Sequence, residues 1–447
     1  MELTQEALRL PAKEAPWARE VREDPRMLAD IARAVGGPYH LLHPEQFGRN
    51  LREFGRALRT AGVDGKVYYG KKANKAACWL HECATADEGV DVASTQEFSD
   101  SLAHGIRGTD LMVTGAAKST DLLWLAARHG STVAIDALDE LERAVSVARA
   151  VGSMQVLLRV LPAENPHSRF GFSPDELDRA LERCIQERDH LTMRGFSFHL
   201  NGYEVAPRAS LASELLDRCL AARVQGLQAD AISIGGGFAV SYLEAEDWHR
   251  FLDRGTGSLF HGGKEFSHFY PYHQAPTGAE MLAAILAVPA GGRSATVGAR
   301  FAQSGTRLLL EPGRALLYGA GCTVFPVQGF KPREDHGIIT ADGLSTSLSE
   351  QWKGSEFLPD PVLWPETGPG EPVRACVGGA SCLDYDMLSW RKIPFPREPR
   401  SGDLLIYPNT AGYQMDKNES EFHQRPLPRR VVAFRADGRL QWRLDRP

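Results

Sequence analysis

Two adjacent lysines, Lys71 and Lys72, follow the run "VYYG" (67–70) and precede a helix-like segment. A run of aromatic and β-branched residues is typical of a β-strand. Because side chains alternate along a strand, Lys72 shares the face of Gly70 and Lys71 points the other way. A partly desolvated lysine at a strand end can be a neutral amine that bonds to a carbonyl carbon. We therefore predict that Lys72 does chemistry, and the alternative is an ordinary surface lysine.

Other residues suited to chemistry follow later strand-like runs. Two of these runs end in glycine-containing turns, which include Gly235, Gly236, Gly237, Gly313 and Arg314. Backbone N–H groups in such turns can bind a phosphate. His199 offers a flat ring that can stack on an aromatic group, and Glu311 offers a carboxylate. A lysine that traps an aldehyde, a phosphate-binding turn, a flat ring and a carboxylate together fit a pyridoxal 5′-phosphate site.

Eight strand-like runs alternate with amphipathic segments and must position these residues. The runs cover 67–72, 89–94, 110–115, 132–136, 154–160, 195–200, 231–236 and 307–312. Alternation of this kind predicts an α/β fold with a parallel sheet, either a closed (β/α)8 barrel or an open doubly wound sheet. The chemically capable residues cluster at the carboxyl ends of the runs: Lys72, Asp91, Asp136, Arg159, His199, Gly235 to Gly237, and Glu311. Barrel enzymes collect their catalytic groups at that rim, so we favour the barrel.

After residue 320 the strand-like runs follow one another without helices, which predicts an antiparallel β domain over 321–447. We place the barrel at 45–320, with an insertion at about 241–300, and expect 1–44 to pack on the β domain. The insertion contains "FHGGKEFSHFYPYHQ" (260–274), which is rich in histidine and aromatic residues. Since no characteristic ligand spacing accompanies these histidines, we expect this segment to cover the barrel mouth or a subunit interface, with no metal bound.

Composition excludes several classes of function. The chain has 447 residues and a net charge of −6, which disfavours general affinity for nucleic acid or acidic membranes. Seven cysteines, an odd number without a CxxC pair, indicate free thiols in a reducing compartment. The N-terminus lacks the apolar core of a signal peptide, and no apolar run reaches membrane-spanning length. We therefore expect a cytoplasmic protein that binds neither nucleic acid nor membrane.

Several motifs resemble those of one enzyme family and occur in its order from about residue 40 to 435. "YGKKAN" resembles Y-A-x-K-A-N, "GVDVAS" resembles G-x-D-x-A-S, and "SRFG" resembles S-K-F-G. "FHLNG" resembles F-H-x-G-S, while "GGG" and "EPGR" match directly. "GGASCLDYD" resembles G-P-x-C-x-x-x-D, and "AGYQM" resembles a late tyrosine motif. The chain thus resembles the ornithine/diaminopimelate decarboxylases, pyridoxal-phosphate (PLP) enzymes of the alanine-racemase fold, also called fold type III.

The resemblance implies a PLP barrel, a C-terminal β domain and a homodimer with shared active sites. It implies that Lys72 holds the cofactor as an aldimine and that Glu311 keeps the ring nitrogen protonated. Loss of CO₂ then leaves a quinonoid intermediate, to which Lys72 or Cys382, reaching from the partner subunit, returns a proton. The implied cofactor-binding residues are Lys72, Asp91, Arg159, His199, Gly235, Gly236, Gly237, Glu311, Gly313, Arg314 and Tyr413.

Two alternatives to a decarboxylase stay open. One is an amino-acid racemase or epimerase on the same fold, although such racemases place an arginine at the ring nitrogen where this chain has Glu311. The other is a non-catalytic PLP-binding regulator, although small regulators of that kind lack the C-terminal β domain. Both features favour decarboxylation.

The chain departs from the family pattern at positions that concern phosphate and substrate. Asn201 and Gly202 stand where the family has glycine and serine, and Leu383 replaces the acidic residue that reads the substrate's distal end. The residues that grip the second carboxylate of diaminopimelate find no match in "DGLSTSLSEQW" (342–352). Asp342 does match the aspartate that meets a distal ammonium, and Asp384 can substitute for the missing acid. With Asp342, Asp384 and Asp386 as substrate-binding candidates, we expect a specialised amino-acid substrate.

Overall fold

The computed structural model describes residues 8–24, 26–254, 257–290 and 295–446. Two helices and a strand come first: α1 (Pro16–Glu23), α2 (Met27–Val35) and β1 (Tyr39–Leu42). Trp17, Ile31 and Tyr39 from these elements are buried in a cluster with Val324 and Ile406 of the C-terminal part of the chain. This segment therefore shares an apolar core with C-terminal strands.

Eight parallel strands close a barrel in which the first strand also pairs with the last. These strands are β2 (Gly65–Gly70), β3 (Gly89–Val92), β4 (Leu111–Val113), β5 (Thr132–Ile135), β6 (Met154–Arg159), β7 (Leu191–Ser197), β8 (Ala231–Ser233) and β9 (Arg307–Leu310). The predicted barrel is confirmed, and closure excludes the open doubly wound sheet.

Helices follow most of the barrel strands and cover the outside of the barrel. They are α3 (Pro44–Thr60), α4 (Ala77–Thr85), α5 (Thr95–Ala103), α6 (Thr120–His129), α7 (Leu138–Val151), α8 (Pro174–Gln186) and α9 (Val205–Val224). Leu141, Val145 and Ala148 of α7 are buried along one face, as their spacing predicts. Ser94 begins α5 by accepting a hydrogen bond from the Glu97 N–H, which satisfies one free amide of the first turn.

The segment between β8 and β9 is longer than the other connections. It contains α10 (Ala245–Asp253), α11 (Gly278–Ala287) and α12 (Val297–Ser304), with short 3₁₀ turns at Gly257–Leu259 and His261–Gly263. Residues 255–256 and 291–294 of the expected insertion lie outside the described residues. Tyr242, Tyr270 and Tyr272 form an aromatic cluster here with Phe357 of the C-terminal part. The cluster joins the insertion to the β domain.

The C-terminal domain is a mostly antiparallel sheet. Its strands are β10 (Gly321–Pro332), β11 (Gly337–Ala341), β12 (Val362–Trp364), β13 (Val373–Gly378), β14 (Met387–Phe395), β15 (Leu404–Tyr407), β16 (Arg429–Ala436) and β17 (Arg439–Leu444). The pairs β1–β16 and β11–β13 are parallel, which differs from the antiparallel pairing that the sequence predicted. Asp437 and Gly438 both have positive φ in the turn between β16 and β17, as a two-residue hairpin turn of this kind requires.

Candidate active site

The two adjacent lysines point to different partners, but not for the predicted reason. Strand β2 ends at Gly70, and both lysines lie in a 3₁₀ turn, Lys71–Ala73. Lys71 is buried and its Nζ lies 2.6 Å from Oδ2 of Asp100 on α5. Nζ of Lys72 lies 3.2 Å from Oδ2 of Asp91, which belongs to the barrel strand β3. The divergence of the lysines is therefore produced by the turn, and the prediction from strand alternation was wrong about its cause.

Asp91 sets the charge of Lys72 in the free protein. The buried Asp91 carboxylate raises the pKa of Lys72, and this attraction outweighs the opposing effect of desolvation. The expected neutral amine is therefore wrong for the free protein, because the sequence placed Asp91 at the same rim but did not show its contact with Lys72. Asp91 also accepts a hydrogen bond of 2.5 Å from the Thr114 hydroxyl. That bond fixes the carboxylate and, through it, the position of the lysine amine.

Glu311 is a buried carboxylate directly after β9. Its Oε1 accepts a hydrogen bond of 2.5 Å from the hydroxyl of Ser233, at the end of β8. Burial raises the pKa of Glu311 to about 7, and the negative charge of Asp91 adds to that rise. The positive charge of Lys72 acts in the opposite direction. A cation near this carboxylate is therefore strongly favoured, because it removes the cost of burying the negative charge.

The three glycines after β8 form a tight turn against His199. Gly235 and Gly237 adopt φ values of +67° and +75°, which strain other residues. A Cβ atom on Gly236 would lie 2.5 Å from the carbonyl oxygen of Glu311, so a side chain does not fit there. The N–H of Gly236 donates to Nδ1 of His199 at 3.3 Å. Burial lowers the pKa of His199 to about 3, so its ring is neutral and can lie against another flat ring.

A second glycine turn, after β9, meets the tyrosine loop. A Cβ atom on Gly313 would lie 3.0 Å from the Tyr413 hydroxyl and 2.9 Å from Cβ of Ala73. The N–H of Tyr413 donates to the Ala73 carbonyl at 2.9 Å, although Tyr413 itself has a positive φ of 70°. The lysine turn, the glycine turn and the tyrosine loop are therefore in mutual contact.

Arg314 adds a guanidinium group to the same place. Its Cζ lies 5.0 Å from the ring centre of Tyr413 and 4.2 Å from that of Tyr270. Its Nη1 donates to the Gly412 carbonyl at 3.2 Å. Tyr270 comes from the insertion and was not among the predicted site residues. Its only sequence signal was the aromatic richness of the insertion.

Arg159 lies at the end of β6, beside the acidic residue that ends the neighbouring strand. Its Nη1 is 3.4 Å from Oδ1 of Asp136, and its Cζ is 4.2 Å from the ring centre of Phe170. Burial raises the pKa of Asp136, and the Arg159 charge opposes that rise. The positive charge of Arg159 also lowers the pKa of Glu311 and of His199, so Arg159 lies close enough to interact electrostatically with both residues.

The loop between β13 and β14 carries three of the predicted residues. Cys382 is exposed, and its Sγ lies 3.2 Å from Nε2 of His423. Asp384 is also exposed. Asp386 is buried, and its two oxygens accept backbone N–H groups from Ser345 at 2.7 Å and Ser381 at 3.2 Å. We therefore propose that Asp386 positions this loop and does not contact the substrate.

Asp342 already has a cationic partner. Nη1 of Arg425 donates to Oδ1 of Asp342 at 2.8 Å. Arg425 has no local sequence signal for this contact, since 83 residues separate it from Asp342. The pair lies where the chain after β11 meets the loop before β16.

These residues fit pyridoxal phosphate on their donor chemistry. Lys72 supplies an amine, and Glu311 is a buried carboxylate whose charge needs a cationic or N–H partner. The turns at Gly235–Gly237 and Gly313 admit no side chain and leave their backbones able to approach a phosphate. Arg314 offers a fixed positive charge. The aldehyde, the ring nitrogen and the phosphate of the cofactor would thus each have a group of matching chemistry.

Comparison with known proteins agrees with this arrangement. The model of the family described as "Pyridoxal-dependent decarboxylase, pyridoxal binding domain" matches residues 45–259. An uncharacterised protein, y4yA of Sinorhizobium fredii, is 36% identical over 420 residues, covering 92% of this chain and 91% of that protein. Diaminopimelate decarboxylase of Actinosynnema pretiosum is 27% identical and covers 86% of this chain and 81% of the relative.

Solved structures of decarboxylases share the fold of this chain. Diaminopimelate decarboxylase of M. jannaschii, in complex with L-lysine, superposes with a TM-score of 0.74 at 16% identity, covering 94% of this chain and 92% of that one. Lysine/ornithine decarboxylase of Vibrio vulnificus, in complex with cadaverine, gives a TM-score of 0.70 at 17% identity, with coverages of 92% and 96%. The chain belongs to the pyridoxal-dependent decarboxylases and is an amino-acid decarboxylase whose cofactor is pyridoxal 5′-phosphate.

Proposed function

We propose that this decarboxylase acts on a specialised amino acid whose distal end carries neither an ammonium nor a guanidinium group. The hydrogen bond of 2.8 Å from Arg425 to Asp342 carries the proposal. By resemblance to ornithine-type enzymes, Asp342 is the carboxylate that would meet a distal ammonium. Arginine is protonated at every working pH, so Arg425 already neutralises that carboxylate and an ammonium would have to compete with it.

Leu383 supports the same substrate class. An ammonium group buried against this leucine would lack a partner, at a cost of several kcal/mol. Asp384 is next to Leu383 but exposed, so solvent screens its charge. A substrate with a neutral or anionic distal group avoids this cost and does not compete with Arg425 for Asp342.

The residues around Lys72 have different roles in the proposed reaction. Pyridoxal phosphate, when bound, supplies an aldehyde that links to amines and a ring that accepts the electron pair left by CO₂. We assign Lys72 to hold the aldehyde carbon and Glu311 to hold a proton at the ring nitrogen. Ser233 orients Glu311 through its hydrogen bond. His199 would lie against the ring, and the two glycine turns with Arg314 and Tyr413 would hold the phosphate.

Cys382 is proposed to deliver a proton to the substrate carbon in the active site of a partner subunit. Its thiol is exposed, and its observed contact is His423, outside the barrel. Two aromatic side chains on the same two loops are also exposed, Tyr385 at 61% and Phe422 at 42%. An exposed thiol beside exposed aromatic groups fits a surface that a second copy of the chain covers.

A substrate panel tests the proposed function. The holoenzyme is incubated with L-lysine, L-ornithine, L-arginine, diaminopimelate and a series of amino acids with neutral or anionic distal groups, and kcat/KM is measured for CO₂ release. Lys72→Ala serves as the inactive control. We expect the highest value within the second series. Turnover of any of the first four at about 10⁴ M⁻¹s⁻¹ or above, near the low end of typical enzymes, overturns the proposed substrate class.

A further inference from the structure

Three metal-binding side chains meet outside the active site. Nδ1 of His261 and Nε2 of His336 lie 2.9 Å apart. These two nitrogens and Sγ of Cys376 all lie within 4.8 Å of one another. We call this group the His–His–Cys cluster. Two imidazoles and a thiol are donors that select zinc over the oxygen-seeking ions calcium and magnesium.

The three residues come from separate parts of the chain that the sheet holds together. His261 lies in the 3₁₀ turn His261–Gly263 of the insertion, and Phe260 beside it forms a bridge with Arg391 of β14. His336 precedes β11, and Cys376 is in β13, directly opposite Ile338 of β11. The pairing of β11 with β13 and the bridge from Phe260 to Arg391 therefore hold the three parts of the cluster near one another.

A carboxylate orients one of the histidines. Nδ1 of His336 lies 2.6 Å from Oδ1 of Asp335, which leaves Nε2 aimed at His261 and Cys376. The other oxygen of Asp335 accepts a hydrogen bond of 2.7 Å from Nζ of Lys392. Metal-binding histidines usually make such a carboxylate contact through the nitrogen that faces away from the metal.

We propose that the His–His–Cys cluster binds one Zn²⁺ ion, with solvent as the fourth ligand. Zinc–nitrogen and zinc–sulfur bonds of about 2.0–2.3 Å place ligand atoms about 3.3–3.8 Å apart in a tetrahedral site. Small side-chain rotations bring the present separations into that range. On binding, the Cys376 thiol releases its proton and the hydrogen bond between the two histidines is replaced by two zinc–nitrogen bonds.

Zinc at this place would fix the insertion to the β domain. The same insertion carries Tyr270, whose ring lies 4.2 Å from Cζ of Arg314 in the cofactor site. It also carries Tyr272, whose hydroxyl donates to the Glu356 carbonyl at 2.8 Å. The proposal replaces the sequence-based expectation of no metal, because two of the three ligands lie far from the histidine-rich segment in sequence.

The test measures zinc bound to the purified holoenzyme after chelator treatment, reloading with Zn²⁺ alone and gel filtration. We expect one equivalent of zinc per chain and a higher Tm with zinc, because the ion binds the folded state. His261→Ala, at a half-buried position, and Cys376→Ser are expected to lose both effects. The matched control is His268→Ala, a histidine of the same insertion that is exposed and outside the cluster.

Two further readouts make the test specific. Asp335→Asn is expected to weaken zinc binding by roughly 10–100-fold while one equivalent still binds at saturation. The protein is also loaded with Co²⁺ in place of Zn²⁺, and its difference spectrum against the metal-free protein is recorded. We expect a thiolate-to-cobalt absorption band, and we expect Cys376→Ser to abolish that band. Wild-type protein that retains no zinc, or zinc retained equally by wild type, His261→Ala and Cys376→Ser, overturns the proposal.

Discussion

Ser233 holds Glu311 in place: its hydroxyl donates a hydrogen bond of 2.5 Å to Oε1 of the buried carboxylate. Ser233 ends β8 and Glu311 directly follows the neighbouring strand β9, so the sheet itself fixes their separation. A buried carboxylate with one oriented oxygen is suited to hold a proton on a ring nitrogen, and two predictions depend on that role.

Glu311→Gln is expected to retain the cofactor and lose most of its turnover. An amide cannot hold the ring proton as a carboxylate does, and losing such a charge-assisted interaction costs about 2–3 kcal/mol in the transition state. That is roughly a hundredfold in kcat. Single-turnover CO₂ release measures the effect, and a near-normal rate would show that Glu311 has another role.

Ser233→Ala tests how much the orientation of the Glu311 carboxylate contributes to turnover, apart from its charge. It is expected to lower kcat less than Glu311→Gln, because the carboxylate remains. Ser197→Ala is the matched control, since Ser197 is a buried serine at the end of β7 whose hydroxyl has no hydrogen-bond partner among the described residues. Equal losses in the two serine variants would remove Ser233 from the site.

The apo protein is expected to become less stable as the pH rises from about 4.5 to 7. Glu311 has a folded-state pKa of about 7 and an ordinary value of 4.5. Between these values the folded state keeps a proton that the unfolded chain loses, so the free energy of unfolding falls, on the order of 3 kcal/mol in all. Glu311→Gln removes this titration. Denaturant unfolding should therefore find apo Glu311→Gln more stable than wild type at pH 8 but similar at pH 4.5, and an equal difference at both contradicts the assignment.

The barrel could be predicted because most strand runs, such as the buried Thr132–Ile135, are short, apolar and followed by an amphipathic helix. The rim residues followed from the same reasoning, since parallel strands share one carboxyl edge. The directions of the Lys71 and Lys72 side chains could not be derived in this way. They depend on a 3₁₀ turn in place of a strand and on contacts with Asp100 and Asp91, which lie elsewhere in the sequence.

Mixing two inactive variants tests the shared active site. Lys72→Ala and Cys382→Ala subunits are expected to regain activity when they exchange, because a mixed dimer holds one site with both residues intact. With equal exchange, about a quarter of all sites should be restored, since half of the dimers are mixed and each has one intact site. No recovery after exchange verified by native mass spectrometry would place Cys382 outside the partner's site.

Arg425→Gln is expected to improve activity on diamino acids. The change frees Asp342 to meet a distal ammonium, and a gain of about 1.4 kcal/mol would raise kcat/KM for L-lysine or L-ornithine about tenfold. The control is Arg333→Gln, an exposed arginine of the same domain. An unchanged preference in a folded Arg425→Gln variant would mean that the Asp342–Arg425 pair lies outside the substrate pocket.

Long-range pairs explain what the sequence left undetermined. Asp342 and Arg425 are 83 residues apart, and His261 and His336 are 75 apart, so neither pair has a local signal. Asp386 carried a family motif, yet its oxygens are used by backbone amides of its own loop and of Ser345. For Asp386 the motif identified the region, and only packing assigned the contacts.

The identity of the lysine that holds the cofactor is the central claim, and one measurement tests it directly. Borohydride reduction of the holoenzyme fixes the cofactor's pyridoxyl group on the lysine nitrogen, and peptide mass spectrometry then locates it. We predict the group on Lys72. Lys71→Ala should still bind cofactor and be labelled at Lys72, since Asp100 keeps Arg446 as a partner at 3.0 Å. A pyridoxyl group on Lys71, with Lys72 unmodified, would contradict the assignment of the site.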